Sequence, residues 1–153
     1  LPGAPARLGA ILKRPPDALS MARRSLTRPT RVNGRKAGAR WERSAESFLN
    51  SRGLNLLHRN FHCRFGEIDL VMEDGTTVVF VEVKYRENGR HGSGTDAVTV
   101  QKQDRISRTA AWYLARHPHR AEQNCRFDVV SIDPGKGNQG IQWIRNAFYS
   151  TTG

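Results

Sequence analysis

Cysteine is nearly absent from this chain: Cys63 and Cys125 are the two in 153 residues, and they form no C-x-x-C pair. That spacing offers neither a zinc ribbon nor a redox motif. His62 beside Cys63, and His117 near His119, fit no structural zinc template either. Long apolar runs are also missing. Nothing approaches the roughly 20 residues of a membrane span, or the apolar core of about 7–15 residues in a secretory signal. Two cysteines without a secretion signal lead us to expect reduced thiols and a cytoplasmic location. The glycine-rich stretch 87–94 is not followed by Gly-Lys-Ser/Thr, so it is no phosphate-cradling P-loop. No Ser-His-Asp order and no nucleophile elbow occurs.

Acids are scarce at one end. Residues 1–40 hold ten Lys/Arg and a single acid, Asp17, whereas residues 41–153 hold fifteen and thirteen. Most of the net charge of +11 therefore sits on a Pro-, Arg- and Ser/Thr-containing arm, residues 1–35. Such a segment is expected to be disordered and to act as an electrostatic arm. Its composition also fits an organelle transit peptide. Met21 offers an alternative start of translation, which would leave residues 1–20 upstream of the protein. The remaining domain, 36–150, is only mildly basic and long enough for one core.

What is present is concentrated in two short runs. Gly66-Glu67-Ile68-Asp69-Leu70 and Phe80-Val81-Glu82-Val83-Lys84 read as parts of two strands, separated by Glu73-Asp74-Gly75-Thr76. Asp-Gly between β-branched runs signals a hairpin. With Asp74-Gly75 as the turn, Asp69 falls opposite Phe80 and diagonal to Glu82. Alternation then puts Asp69, Glu82 and Lys84 on one face. Ile68, Leu70, Met72, Val79, Val81 and Val83 take the other, toward the core. Glu82 and Lys84 stand roughly 6.5–7 Å apart along the strand, so side chains of this length can converge on one cation. Crowded carboxylates raise each other's pKa unless a cation offsets them. A divalent ion would do so, polarise a phosphate and acidify a bound water. Lys84 could then hold or deprotonate that water. A solvated Glu-Lys pair on an exposed hairpin is the plain alternative.

The remainder completes an order of helix, three strands, helix, two strands. Trp41, Ala45, Phe48 and Leu49 recur at helical spacing before Gly53. Glu42 and Glu46 lie one turn apart beside that stripe, and either could reach a metal. Residues 54–63 read as the first strand. Thr99 caps a second helix from Val100 to about Arg116, buried through Ile106, Ala110, Tyr113 and Leu114. Strands follow at Arg126–Val130 and Ile141–Ile144. Glu67 reads as an edge charge, and Trp143 and Phe148 as packing residues.

A family resemblance rests on seven segments. They are Gly38-Ala39-Arg40-Trp41-Glu42; Arg59-Asn60-Phe61; Gly66-Glu67-Ile68-Asp69-Leu70; Phe80-Val81-Glu82-Val83-Lys84-Tyr85-Arg86; Ala97-Val98 with Lys102; Arg126-Phe127-Asp128-Val129-Val130; and Ile144-Arg145-Asn146-Ala147-Phe148. In this order and spacing the chain resembles the bacterial YraN family, placed in the restriction-endonuclease-like PD-(D/E)xK superfamily. The resemblance spans about residues 36–149. It implies an α/β fold with a restriction-endonuclease-like core, a mixed β-sheet flanked by helices. It also implies magnesium- or manganese-dependent cleavage of DNA, with Asp69, Glu82, Lys84 and Glu42 as catalytic residues. Asp69, Glu82 and Glu42 would be the metal ligands. Glu-Ile-Asp stands where the superfamily label has Pro-Asp, and the proline supplies no ligand. Lys102 matches the family pattern and is the leading phosphate contact, with Arg126, Arg86, Arg40 and Lys36 as further nucleic-acid contacts. Branched DNA enters by analogy with Holliday-junction resolvases, and a homodimer is left open. The other reading is an accessory protein that binds nucleic acid on this fold without cleaving it.

Overall fold

The computed structural model describes residues 32–86 and 98–152, with the side chains of 32–37 left aside. The basic arm up to residue 31 and the glycine-rich segment 87–97 lie outside the described residues. The elements are α1 (Val32–Asn50), β1 (Asn55–Cys63), β2 (Gly66–Asp74), β3 (Thr77–Tyr85), α2 (Val100–Arg116), β4 (Asn124–Ile132) and β5 (Ile141–Phe148). One sheet holds all five strands in the order β1-β2-β3-β4-β5. β3 and β4 run parallel and every other pair is antiparallel. A parallel pair needs a long crossover, and α2 lies within it. This is the α/β, restriction-endonuclease-like core expected above, a mixed sheet with helices on both sides. Among the described residues no helix is long and apolar enough to cross a membrane.

Each helix covers one face because its apolar residues fall on one stripe. Ala45 and Leu49 of α1 are fully buried against Leu70, Met72, Val79, Val81, Val130 and Ile132. The helix ends as its sequence requires: Gly53 takes a φ of 92°, and the Leu54 N–H donates to the Leu49 carbonyl at 3.2 Å. On the opposite face, Ile106, Ala110, Tyr113 and Leu114 of α2 pack on Val71, Phe80 and Phe127. The Thr99 hydroxyl accepts the Lys102 N–H at 3.2 Å and caps α2.

Two details of the hairpin depart from expectation. The turn is Gly75-Thr76, closed by Asp74 paired with Thr77, rather than Asp74-Gly75. Gly75 alone takes a positive φ there, 58°. A type II′ turn needs a positive φ only at its first central residue, whereas a turn of type I′ would force one on Asp74 too. The pairing consequently shifts by two residues on β3. Leu70 pairs with Val81, so Asp69 comes level with Glu82 instead of Phe80.

The second departure is a break in alternation. Ile68 packs with Phe61 in the α2 cluster, while Leu70 packs under α1. On β1, Arg59 reaches Glu46 of α1, yet Phe61 faces α2. Residues two apart on a regular strand share a face, so both strands kink between these pairs. The cause lies in Asn60, which sits between Arg59↔Leu70 and Phe61↔Ile68 and takes a φ of 51°. Asparagine is among the few residues that tolerate this left-handed geometry. Asp69 lies at the same level of the sheet, directly at the kink.

Candidate metal and nucleic-acid site

The kink opens a gap in the sheet, and Asp69 fills it. Backbone pairing between β2 and β3 stops at Leu70↔Val81. Two residues further along β3, the Val83 N–H donates to Asp69 Oδ2 at 2.7 Å. The carboxylate thus satisfies a backbone donor that would otherwise lack a ladder partner. Glu82 lies beside it and is 6% exposed. Lys84, half-buried, follows two residues on.

Electrostatics show how crowded this place is. Burial, reinforced by the Glu82 charge and then by Glu42, pushes Asp69 up to about 8, against the opposing Val83 hydrogen bond and the Lys102 charge. Burial also raises Glu42, aided by Glu67 and Glu82, while a hydrogen bond from Asn60 works the other way. Burial lowers Lys84; Glu82 opposes this, and Lys102 and Arg86 add to it. The structure therefore gathers Asp69, Glu82, Lys84 and Glu42 into one electrostatic unit, although they come from three elements.

Lys102 belongs to that unit as well. Its ammonium forms an ion pair with Glu82 from the first turn of α2. Burial disfavours its charge, but the hydrogen bond and charge of Glu82, then Asp69 and Glu67, outweigh burial and raise its pKa. Spacing along the chain placed Lys102 near the helix start but could not reveal this pairing. Asn60 is a second contributor that spacing left unassigned; its signal was an asparagine in the middle of a strand, between Arg59 and Phe61.

The other cations distribute unevenly. Arg86 extends the β3–β4 pairing through its N–H to the Ile132 carbonyl at 2.9 Å, and its Nε donates to Ser131 Oγ at 3.1 Å. Arg40 is exposed on α1 and lies over the Trp41 ring. The Lys36 side chain lies outside the described residues. Arg126 stands apart, near the hairpin turn, held by Asp74 at 2.8 Å and Asp128 at 3.1 Å. Glu67 is exposed and faces His62 at 3.3 Å.

The donor set suits a hard cation. Asp69 and Glu82, which already draw the Lys102 ammonium, offer oxygen ligands of the kind that magnesium and manganese take. Among the described residues no three His, Cys, Asp or Glu side chains form a ready-made cage. Asp69 and Glu82 are thus the primary pair, with Glu42 near enough to be felt by Asp69 and to feel Glu82.

A five-stranded mixed sheet between two helices, opened beside Asp69, is a fold of the restriction-endonuclease-like class. A family model described as uncharacterised protein family UPF0102 matches residues 41–132. The chain belongs to that family, the YraN family of the resemblance above. A UPF0102 protein of Nitrosococcus oceani is 47% identical over 114 residues, covering 74% of this chain and 92% of the relative. One from Alcanivorax borkumensis is 42% identical over 126 residues, 82% of this chain and 98% of the relative. Another, from Enterobacter sp., is 41% identical over 122 residues, 79% and 90% of the two chains.

Proposed function

We propose that this chain is a cytoplasmic, divalent-metal-dependent nuclease that hydrolyses phosphodiester bonds of DNA, with branched or otherwise structured DNA as its substrate. One observation carries the reading: Asp69 and Glu82 meet where the ladder opens, and burial together with the Glu82 charge raises the Asp69 pKa to about 8. Asp69 and Glu82, with Glu42 in support, would hold magnesium or manganese. Such an ion, when bound, polarises a phosphate and lowers the pKa of water. Lys84 stands beside the pair with an ammonium whose pKa burial depresses. That suits it to orient an attacking water, take its proton and offset charge growing on the phosphate. Lys102 offers a phosphate contact at the start of α2, and Arg86 and Arg40 extend the cationic surface. The Lys36 side chain and the arm would add contacts further out. Arg126 is spent on Asp74 and Asp128, which leaves it little to offer a substrate.

A second reading is favoured by the Lys102–Glu82 ion pair. An internal ammonium already compensates the acid, as in a protein that binds nucleic acid on this fold and cuts nothing. Labelled duplex, flap, four-way junction and single-stranded DNA, each with magnesium or manganese, separate the two. The nuclease reading expects metal-dependent cuts in the branched substrates and none with a chelator present. Binding to all of them without cleavage by the full chain would leave the accessory protein. Paired cuts in a four-way junction would further require two copies of the chain, visible as a two-to-one complex by light scattering.

Lys84 separates chemistry from metal binding. Lys84→Ala should bind manganese nearly as well as the native chain, yet cut about a hundredfold or more slowly. A lysine of purely structural value would instead lower the melting temperature and leave the rate per folded molecule unchanged.

A further inference from the structure

An aromatic pair, Trp41 and Tyr85, stands near the acidic cluster, and the core uses only its tryptophan. Tyr85 is the last residue of β3, next to Lys84, and Trp41 precedes Glu42 on α1. Their rings stack with centroids 4.8 Å apart and planes 19° from parallel. Arg40 lies over the Trp41 ring, its Cζ 5.4 Å from the centroid. Trp41 is partly buried against the α1-side core, so it is anchored. Tyr85 is not buried: with Trp41 against its ring, 45% of its surface remains exposed. The contrast with Tyr113 is instructive, since that ring is 2% exposed and packed among Phe61 and Phe80.

A tyrosine held in a fixed plane by an anchored tryptophan, yet open to solvent, costs apolar exposure without strengthening the core. Its surroundings indicate what it could meet. Lys84 and Arg86, its neighbours along the chain, alternate onto the other face of the sheet, so the cation on its own side is Arg40, over the Trp41 ring. An exposed tyrosine ring whose stack carries a guanidinium suits a nucleobase and its phosphate, and it suits an aliphatic protein segment less well. Tyr85 lies three residues beyond Glu82, at the end of β3 and about 10 Å along the strand.

We propose that Tyr85, braced by Trp41 and Arg40, is a stacking platform for one unpaired nucleobase of a DNA strand whose phosphate lies at Asp69 and Glu82. This rests on the nuclease reading only for where the phosphate goes. A paired base inside a duplex has both faces covered by its neighbours and cannot use the platform. A flap, a junction arm end or a single strand presents a free face. The platform therefore supplies a reason for the site to prefer branched or single-stranded DNA.

The test uses the full chain, with metal chelated so that nothing is cut. Tyr85→Leu keeps an apolar contact with Trp41 but removes the ring, and Tyr85→Phe keeps the ring. Fluorescence anisotropy reads binding to single-stranded, flap and fully paired DNA. A 2-aminopurine in the flap reports stacking. Tyr85→Leu should weaken single-strand and flap binding by about 5- to 100-fold, the usual effect of one lost base–aromatic stack. Duplex affinity should stay within about twofold by the same reasoning, since no paired base meets the ring. Tyr85→Phe should behave as the native chain, and 2-aminopurine should be quenched by both but not by the leucine variant. Equal losses on all three DNAs, or no loss on any, would overturn the platform, and a thermal melt excludes misfolding as the cause. Selective loss in a chain that never cleaves DNA would keep the platform and remove the nuclease. Cleavage by a chain without that selectivity would do the reverse.

Discussion

Asp69→Asn should melt about 5 °C or more above the native chain at pH 8, and should bind no manganese. Asp69 is raised from an ordinary 3.8 to about 8, chiefly by burial and then by Glu82. The folded chain therefore holds a proton that the unfolded chain has released. Stability from this group is fully present below about pH 4 and drains away as the pH rises to about 8. A tenfold change in proton affinity between the two states is worth about 1.4 kcal/mol. Even with most of that relaxed through Glu82 and Lys102, about 2 kcal/mol should remain, worth several degrees in a domain of this size. Asparagine removes the charge but keeps an oxygen for the Val83 N–H, and its amide can donate to Glu82. The advantage should shrink toward about pH 4, where both chains are neutral at this position. Asp69→Ala should gain less, because the Val83 N–H then loses the acceptor it now has at 2.7 Å. Thermal melts from about pH 4 to about pH 8 check the sign: an advantage for Asn that grew toward low pH would contradict the assignment.

Asp128→Ala should cost about 3–5 kcal/mol, enough to lower the melting temperature by about 10 °C or more. Asp128 is fully buried and its carboxylate serves three donors at once. It accepts Arg126 Nε at 3.1 Å, Trp143 Nε1 at 2.9 Å and the Asn146 N–H at 2.9 Å. Asn146 itself sits at a φ of 52°, a conformation that this hydrogen bond helps to hold. Removing the acid takes an acceptor from the indole N–H and the Asn146 N–H and leaves the guanidinium with Asp74, all in a poorly hydrated place. Asp128→Asn should lose less, since it keeps one acceptor oxygen. Urea unfolding gives the cost, and a loss below about 1 kcal/mol would show the network to be ornamental. Manganese binding per folded molecule should not change in either variant.

Sequence periodicity made most of the scaffold legible. The α1 stripe at Trp41, Ala45, Phe48 and Leu49, the stop at Gly53 and the Thr99 cap all follow local rules that tertiary contacts reinforce. The cores of β2 to β5 were equally plain, because they carry β-branched residues and are bounded by turn residues. The kink at Asn60 and Asp69 was not legible. Alternation assumes regular strands, and one left-handed asparagine on β1 redirected both chains, sending Ile68 to the α2 side. The turn was misplaced for a related reason: Asp-Gly names a hairpin, but which two residues turn depends on which must take a positive φ. Asp69 still comes level with a β3 residue of the expected parity, Glu82, because the shift is of two residues. Pairing of Lys102 with Glu82 depends on how α2 lies over β3, which no local pattern encodes. Arg126 and Asp128 alternate onto one face of the same strand, so their pairing is local, whereas the folded sheet alone brings Asp74 to Arg126.

The most direct test of the metal site is a calorimetric titration of the full chain with manganese at about pH 7, below the raised Asp69 pKa. It is run in two buffers of different ionisation heat, beside Asp69→Asn. Metal ligands must be deprotonated, and Asp69 holds its proton up to about 8. The native chain should therefore bind manganese and release about one proton per ion, while the asparagine variant should bind none. Equal manganese affinity in the two chains, or no binding to the native one, would contradict the site.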